Sequence, residues 1–235
     1  MWYIYTSQEG NNYPLEFGYR AIETVEISHN YEQVTDYCRK GCDSYGSGGC
    51  PPWAPRFEDI QTHYAYGVLV FAKFFSRYKP AKFARCDISY LQYGFQDIIL
   101  SSLFTKLGYQ VKKCMQEDVL FLNSGHCMGC GLLPCSFLKG AAYCRNPQRR
   151  TFAIGATGVQ AVPLLQSVFG IDLEWYGNQQ EVNYITKTMG FFCQKRPIQN
   201  QIMDDMVVNL NSLPCSRFDI PGEEYRTVLN GLLSG

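Results

Sequence analysis

Two runs of closely spaced cysteines constrain this chain more than any other feature. Seven of its eleven cysteines form Cys38-x3-Cys42-x7-Cys50 and Cys127-x2-Cys130-x4-Cys135-x8-Cys144. The first run leads into Pro51-Pro52-Trp53-Ala54-Pro55, and the second is followed by Arg145-Asn146-Pro147. Soft thiolates at short spacing, in loops stiffened by glycine and proline, suit an iron–sulfur cluster or zinc. Whatever fold the chain adopts must therefore present two irregular, metal-binding loops.

The spacings favour iron–sulfur over zinc. Structural zinc sites usually carry two close ligand pairs, and here only Cys127 and Cys130 form one. Cys135 and Cys144 follow at widening intervals, with Gly129, Gly131 and Pro134 between the thiols. Small residues let a backbone approach the inorganic sulfides of a [4Fe–4S] cubane. The first run supplies three close thiols, enough for a cubane with one iron left open. A fourth ligand could come from Cys86, Cys114, Cys193 or Cys215, although free cysteines are more often small buried hydrophobes. Spacing alone leaves one shared cluster and two separate clusters equally open.

The odd cysteine count and the absence of a basic, apolar leader at Met1-Trp2-Tyr3-Ile4-Tyr5 argue for thiols in a reducing, cytoplasmic setting. No apolar stretch reaches membrane-spanning length. Lysine plus arginine and aspartate plus glutamate each number 21, so the whole molecule has no net field to steer it toward nucleic acid. Residues 60–86 interleave Lys73, Arg77, Lys79, Lys82 and Arg85 with aromatics and contain no acid. That pattern can track a nucleic-acid backbone, but a surface loop beside a core strand is the simpler reading.

A mixed α/β fold in one domain spanning residues 1–235 is expected, a layered sheet with helices carrying cysteine loops at 38–55 and 127–147. Residues 21–28 alternate weakly, as in a strand. Asn30 with Gln33 signals a helix stopped by Gly41, which places Cys38 on the last turn and Cys42 just beyond it. Residues 43–55 read as an ordered turn. Tyr66–Phe75 reads as a buried strand. Ser89 with Gln92 opens a helix that Gly108 ends, and Val119–Leu122 is a short strand delivering the second run. Ala156–Phe169 reads as a helix started or kinked by Pro163. Ile171–Trp175 and Tyr184–Cys193 read as adjacent strands, and Asn200–Leu213 as a helix stopped by Pro214.

Cys42-Asp43-Ser44-Tyr45-Gly46 leading to Cys50-Pro51-Pro52, then C-x2-C, Cys144-Arg145-x-Pro147, Arg149-Arg150 and Gly158-Val159, resemble a family of unknown function described only as predicted metal-binding proteins. Its members occur mainly in anaerobic bacteria and archaea, and the resemblance spans about residues 38–170. The chain spaces Cys130, Cys135 and Cys144 more widely than that family does. It also lacks the acidic residue that usually precedes the glycine matched by Gly158. The resemblance implies metal binding and no particular reaction.

Residues 119–171 contain no acid but hold Lys139, Arg145, Arg149 and Arg150. Guanidinium groups near a thiolate-ligated cubane would stabilise its negative charge, and Arg149 with Arg150 could clamp an anionic substrate or simply occupy a solvated turn. Trp53 could shield the first site from water, or serve as a core anchor. His126 could donate a proton or a ligand beside Cys127, or hydrogen-bond its loop. No nucleotide loop, nucleophile elbow or HExxH motif is present, which argues against ordinary hydrolases and dinucleotide oxidoreductases. The expected function is an oxygen-sensitive redox or sulfur-transfer enzyme acting on a small anion. In that reading Cys127, Cys130, Cys135 and Cys144 hold a relay cluster, and Cys38, Cys42 and Cys50 an open one. The alternatives are an electron carrier or metal-handling accessory working with a redox partner protein, and a zinc-stabilised binding module.

Overall fold

The computed structural model of the chain describes residues 1–6, 10–81, 89–115, 118–130, 133–176 and 181–213, with only the backbone described for 89–92. Cys86, Cys215, Pro214, Gly131, Lys82, Arg85 and the side chains of the Ser89–Gln92 pair lie outside that set.

The fold is built on a six-stranded sheet in the order β1-β2-β3-β6-β4-β5. Its strands are β1 (Trp2–Thr6), β2 (Asn12–Glu23), β3 (Tyr66–Phe75), β4 (Leu120–Asn123), β5 (Phe152–Ala153) and β6 (Tyr184–Cys193). Every neighbouring pair is antiparallel except β4 with β5. β3 runs between β2 and β6, with Leu15 opposite Phe74 and Val68 opposite Phe191. Both faces of β3 are covered, which is why its sequence is one continuous apolar run rather than an alternation. Val68, Val70, Ala72 and Phe74 enter one core, while Leu69 enters the opposite one.

Helices α3 (Ser89–Cys114) and α5 (Arg196–Asn211) cover the first face, where Leu103, Phe104, Leu107, Ile202 and Met206 pack on Phe17, Phe121 and Phe191. The second face is closed by α2 (Phe57–His63) and α4 (Ala161–Phe169) through Phe57, Ile60, Leu164 and Val168. No described helix is long and apolar enough to cross a membrane.

Several expected elements change. The strand anticipated at 21–28 is the end of the much longer β2, and Thr24–Glu26 turn as a 3-10 helix. α4 begins at Ala161, after a 3-10 turn at Gly155–Thr157, so Pro163 sits in its first turn. Residues 171–175 form no strand; Ile171 and Leu173 pack as a covering segment on Phe71 and Leu165. α5 runs from Arg196 to Asn211, earlier than expected, because Pro197 fits a first turn.

Gly108 does not stop α3, which continues to Cys114. Its role is close approach: a Cβ there would overlap the ring of Phe121, itself buried and stacked on Phe191 at 5.4 Å. Neither aromatic has room to retreat. Gly108→Ala is expected to destabilise the protein by about 1–3 kcal/mol in a chemical-denaturation curve.

Candidate metal centre

The first thiol run hangs from a well-specified helix. α1 (Tyr31–Gly41) is capped by Asn30, whose side chain accepts the Gln33 N–H at 3.0 Å. The cap is in turn fixed by the 154–160 segment, because Asn30 N–H donates to Gly158 O at 2.7 Å and Gln160 N–H to Ser28 O at 3.1 Å. Cys38 lies half-buried on the last turn, Cys42 is exposed at the C-cap, and Cys50 is buried in the following turns. Those turns close on themselves through Gly46 N–H to Pro51 O at 2.8 Å and Trp53 Nε1–H to Gly46 O at 3.1 Å.

The second run leaves the carboxyl end of β4 and returns as β5. Cys127, Cys130, Cys135 and Cys144 are all partly exposed. Asn146 Nδ2 donates to Gly129 O at 2.8 Å, and the Ser136 hydroxyl to Tyr143 O at 2.9 Å, so the loop is internally cross-tied. A Cβ at Gly129 would overlap the Arg149 carbonyl, so the two limbs of the loop touch there.

The two loops dock against each other. Arg150 donates Nε–H to Gly48 O at 2.6 Å and Nη2–H to Trp53 O at 3.1 Å. Its guanidinium lies 5.2 Å from the Phe137 ring centre and 4.8 Å from that of Phe152. Trp53 packs on Phe137 at 4.8 Å with nearly half its surface exposed. Ala153 N–H donates to Gly49 O at 3.0 Å, which extends the β5 edge into the first loop.

Backbone N–H groups are aimed at sulfur. Gly48 N–H points at Cys135 Sγ at 3.3 Å across the loop interface, and Cys127 Sγ accepts Thr151 N–H at 3.3 Å and Gly129 N–H at 3.4 Å. Such donors stabilise an ionised thiol. Partial burial pushes Cys135 up, but the N–H groups of Gly48, Phe137 and Leu138 with the Arg150 charge bring it below the usual thiol range. The other shifted thiols move upward. Burial raises Cys38, with Cys42 adding to it. Burial also raises Cys50; Ser47 opposes, and the charges of Cys42, Cys38 and Cys127 add. Partial burial raises Cys130, together with Cys144, Cys127 and Cys135, against the pull of Arg145. The seven thiols thus feel one another as a continuous group, joined across the loops by Cys50 and Cys127.

Among the described residues no three His, Cys, Asp or Glu side chains stand as a ready cage for one metal ion. A bound metal must draw these thiols closer or bridge them through several atoms. The donor set fits a soft metal, because the candidate ligands on both loops are sulfur and a cation would stabilise the thiolates that burial first, and neighbouring thiols second, disfavour at Cys38, Cys50 and Cys130.

Residues 20–189, more than half of the sequence, match the family described as predicted metal-binding protein (DUF2284). The chain belongs to that family. No curated protein and no solved structure matches it. Both thiol loops of this predicted metal-binding protein lie inside the matched region, as does the Gly158 contact that anchors α1.

The remaining sequence candidates fall around this centre in different ways. Arg145 is exposed and acts on Cys130, whereas Arg149 is exposed with its guanidinium 5.6 Å from the Tyr109 ring centre. Arg150 ties the loops together. His126 stands at the surface beside Cys127; surrounding protein and the Lys187 ammonium hold its imidazolium pKa down, partly offset by Asp97. Lys187 pairs with Asp97 at 2.9 Å. Cys193 is buried in the first core and Cys114 contacts Asn209 Oδ1 at 3.6 Å, so each has a place away from the loops. In the 60–86 stretch, Lys73 pairs with Glu16 at 3.3 Å and lies 4.4 Å from the Tyr184 ring centre, while Lys79 lies 4.3 Å from that of Tyr93.

Tyr109 was not legible in the sequence. It projects from α3, donates its hydroxyl to Arg149 O, and has its phenol pKa raised by burial and then by Cys127. Nothing in helical spacing separates it from a core tyrosine.

The opposite shifts give a test on metal-free, reduced protein. Iodoacetamide near neutral pH is expected to modify Cys135 before Cys38, Cys50 and Cys130, because the lowered pKa leaves more thiolate at that pH. Peptide mapping by mass spectrometry reads the order.

Proposed function

We propose that this metal-binding protein is an iron–sulfur protein whose two thiol loops hold [4Fe–4S] clusters for redox chemistry on a small anion. The observation that carries the reading is the aiming of backbone N–H groups, across and within the loops, at the sulfurs of Cys127 and Cys135. Hydrogen bonds to coordinating sulfur are a principal means by which a protein sets cluster potential. Cys38, Cys42, Cys50, Cys127, Cys130, Cys135 and Cys144 would hold the iron, and the bound clusters would supply one-electron transfer and, at an open iron, a Lewis-acid position.

The chain's own residues prepare that role. Arg150 holds the loops in register and brings positive charge to Cys135. Trp53 and Phe137 cover one side of the interface with an aromatic pair. Arg145 and Arg149, exposed and without an acid between residues 119 and 171, can orient an anion at the rim.

Electron paramagnetic resonance of the anaerobically reconstituted, dithionite-reduced protein tests this reading. A low-temperature cluster signal that changes on adding cyanide or sulfite supports an open iron with a substrate role. A signal that neither ligand perturbs supports the electron-carrier reading, and no cluster signal contradicts both.

A further inference from the structure

We propose that the exposed apolar face of the two thiol loops is the docking surface for a small acidic ferredoxin-type protein that delivers electrons to the metal centre. This rests on the iron–sulfur reading above and supplies the partner that such a centre needs.

The face is built around one buried side chain. The Ser136 hydroxyl donates to Tyr143 O at 2.9 Å and accepts the Arg145 N–H at 3.2 Å, while Ala141 N–H donates to Ser136 O at 3.0 Å. These bonds fold the 3-10 turn Phe137–Lys139 into a knuckle that presents its large apolar side chains outward. Leu138 is 50% exposed and Tyr143 75% exposed. The first loop continues the same surface. Trp53, 46% exposed, packs on Phe137 and donates Nε1–H to Gly46 O at 3.1 Å. A Cβ on Gly46 would stand 3.9 Å from Leu138 Cδ2, so Trp53 and Leu138 border one another over Gly46. Apolar tips grouped on a cross-tied loop and rimmed by charge mark a binding face.

Charge selects the occupant. Lys139 and Arg145 flank the apolar tips, with Arg149 beyond them; all three are exposed, and none pairs with a described acid. No aspartate or glutamate occurs between residues 119 and 171. Aromatic and aliphatic tips inside an unopposed basic rim complement a partner with a small apolar centre and an acidic rim. A second copy of this chain would bring the same three cations against themselves. Single-stranded nucleic acid needs aromatic platforms for its bases, and Leu138 offers none.

The thiols say what such a partner does. Cys42 is exposed, and Cys130, Cys135 and Cys144 partly so, which puts metal held by these loops at the docked surface. The sequence has no dinucleotide-binding loop, which favours a protein over a nicotinamide as the source of electrons. A ferredoxin has the low potential that reduction of a [4Fe–4S] cluster requires. One electron leaves its reduced cluster, which is oxidised, and enters the cluster in the loops, which is reduced; no bond or proton is exchanged. Electron-transfer encounters bury little surface and are steered by charge, so this one should be fast and salt-sensitive.

Stopped-flow mixing of the anaerobically loaded full chain with a reduced plant-type [2Fe–2S] ferredoxin, which is acidic and spectrally distinct, tests the proposal. The rate constant is expected to fall about ten-fold or more as salt is raised. Lys139→Glu and Leu138→Ser should each lower it several-fold. Reduction by dithionite and the circular dichroism spectrum should not change, because both side chains are exposed. A rate indifferent to salt and to both substitutions overturns the inference. So does a dimer that Leu138→Ser dissolves, or single-stranded RNA that competes the ferredoxin away. Calorimetric titration of the metal-free chain with the same ferredoxin separates the two failures. A chain that takes up no iron and sulfide refutes the iron–sulfur reading. Salt-dependent association lost in Lys139→Glu would still support the docking face, and no association would overturn it.

Discussion

Gly49→Ala is expected to strip most of the metal from the protein while leaving the fold intact. The new Cβ would stand 2.6 Å from Thr151 O and 2.7 Å from Cys127 Cβ, in contact with backbone on one side and a short, hydrogen-bonded side chain on the other. Neither can rotate away. The strain falls on the interface between the loops and the end of the short edge strand β5, at the margin of the second core and inside neither core. Overpacking of this kind costs about 1–3 kcal/mol. Because the interface is what brings Cys50 and Cys127 together, the loss appears as a roughly ten- to hundred-fold weaker metal affinity. Iron per chain after reconstitution, with far-ultraviolet circular dichroism as the fold control, reads both halves. Full metal loading in a folded Gly49→Ala protein would show that the loops bind independently.

Gly158→Ala should act on the same centre from a distance. Gly158 has φ +97°, and a Cβ would stand 2.7 Å from Tyr31 Cα and 2.8 Å from Tyr31 nitrogen. The left-handed backbone costs a non-glycine residue about 1–3 kcal/mol, and the collision with the first residue of α1 adds a comparable amount. We expect about 2–6 kcal/mol of lost stability, or roughly 5–20 °C in Tm for a chain of this size. The displaced helix carries Cys38 and Cys42, so Gly158→Ala should also lower metal content. A melt measured with and without iron separates the two effects: the metal-dependent part of Tm should shrink along with the metal-free Tm.

An element is legible in the sequence to the extent that its signal is local. The α1 cap was legible because Asn30 and Gln33 carry it within one turn, and the observed bond joins those two residues. Tyr66–Phe75 was legible because a strand buried on both faces needs no alternation, and Tyr184–Cys193 matched its observed bounds. Most of β2 is not legible in local pattern, because Pro14 and Gly18 are turn-type residues; Gly18 is there because a Cβ would overlap the Phe71 ring of the next strand. Residues 171–175 misled in the other direction, because their apolar positions serve a covering segment and no strand lies alongside.

The candidate site divides in the same way. The seven thiols and the glycine- and proline-rich character of their loops were plain from spacing. That the loops meet was not, because the joining contacts are remote in sequence. Arg150 reaches Gly48 across 102 positions, and Gly48 N–H reaches Cys135 across 87. An adjacent arginine pair reads as a solvated turn or an anion clamp until its acceptors are seen to be backbone carbonyls of the other loop.

Whether these loops hold iron–sulfur clusters is decided by elemental analysis of protein purified without oxygen. Iron, acid-labile sulfide and zinc would be measured per chain alongside the visible spectrum. A brown protein is expected, with about eight irons and eight sulfides per chain, little zinc, and absorbance near ~400 nm. A colourless protein with stoichiometric zinc and no labile sulfide would contradict it.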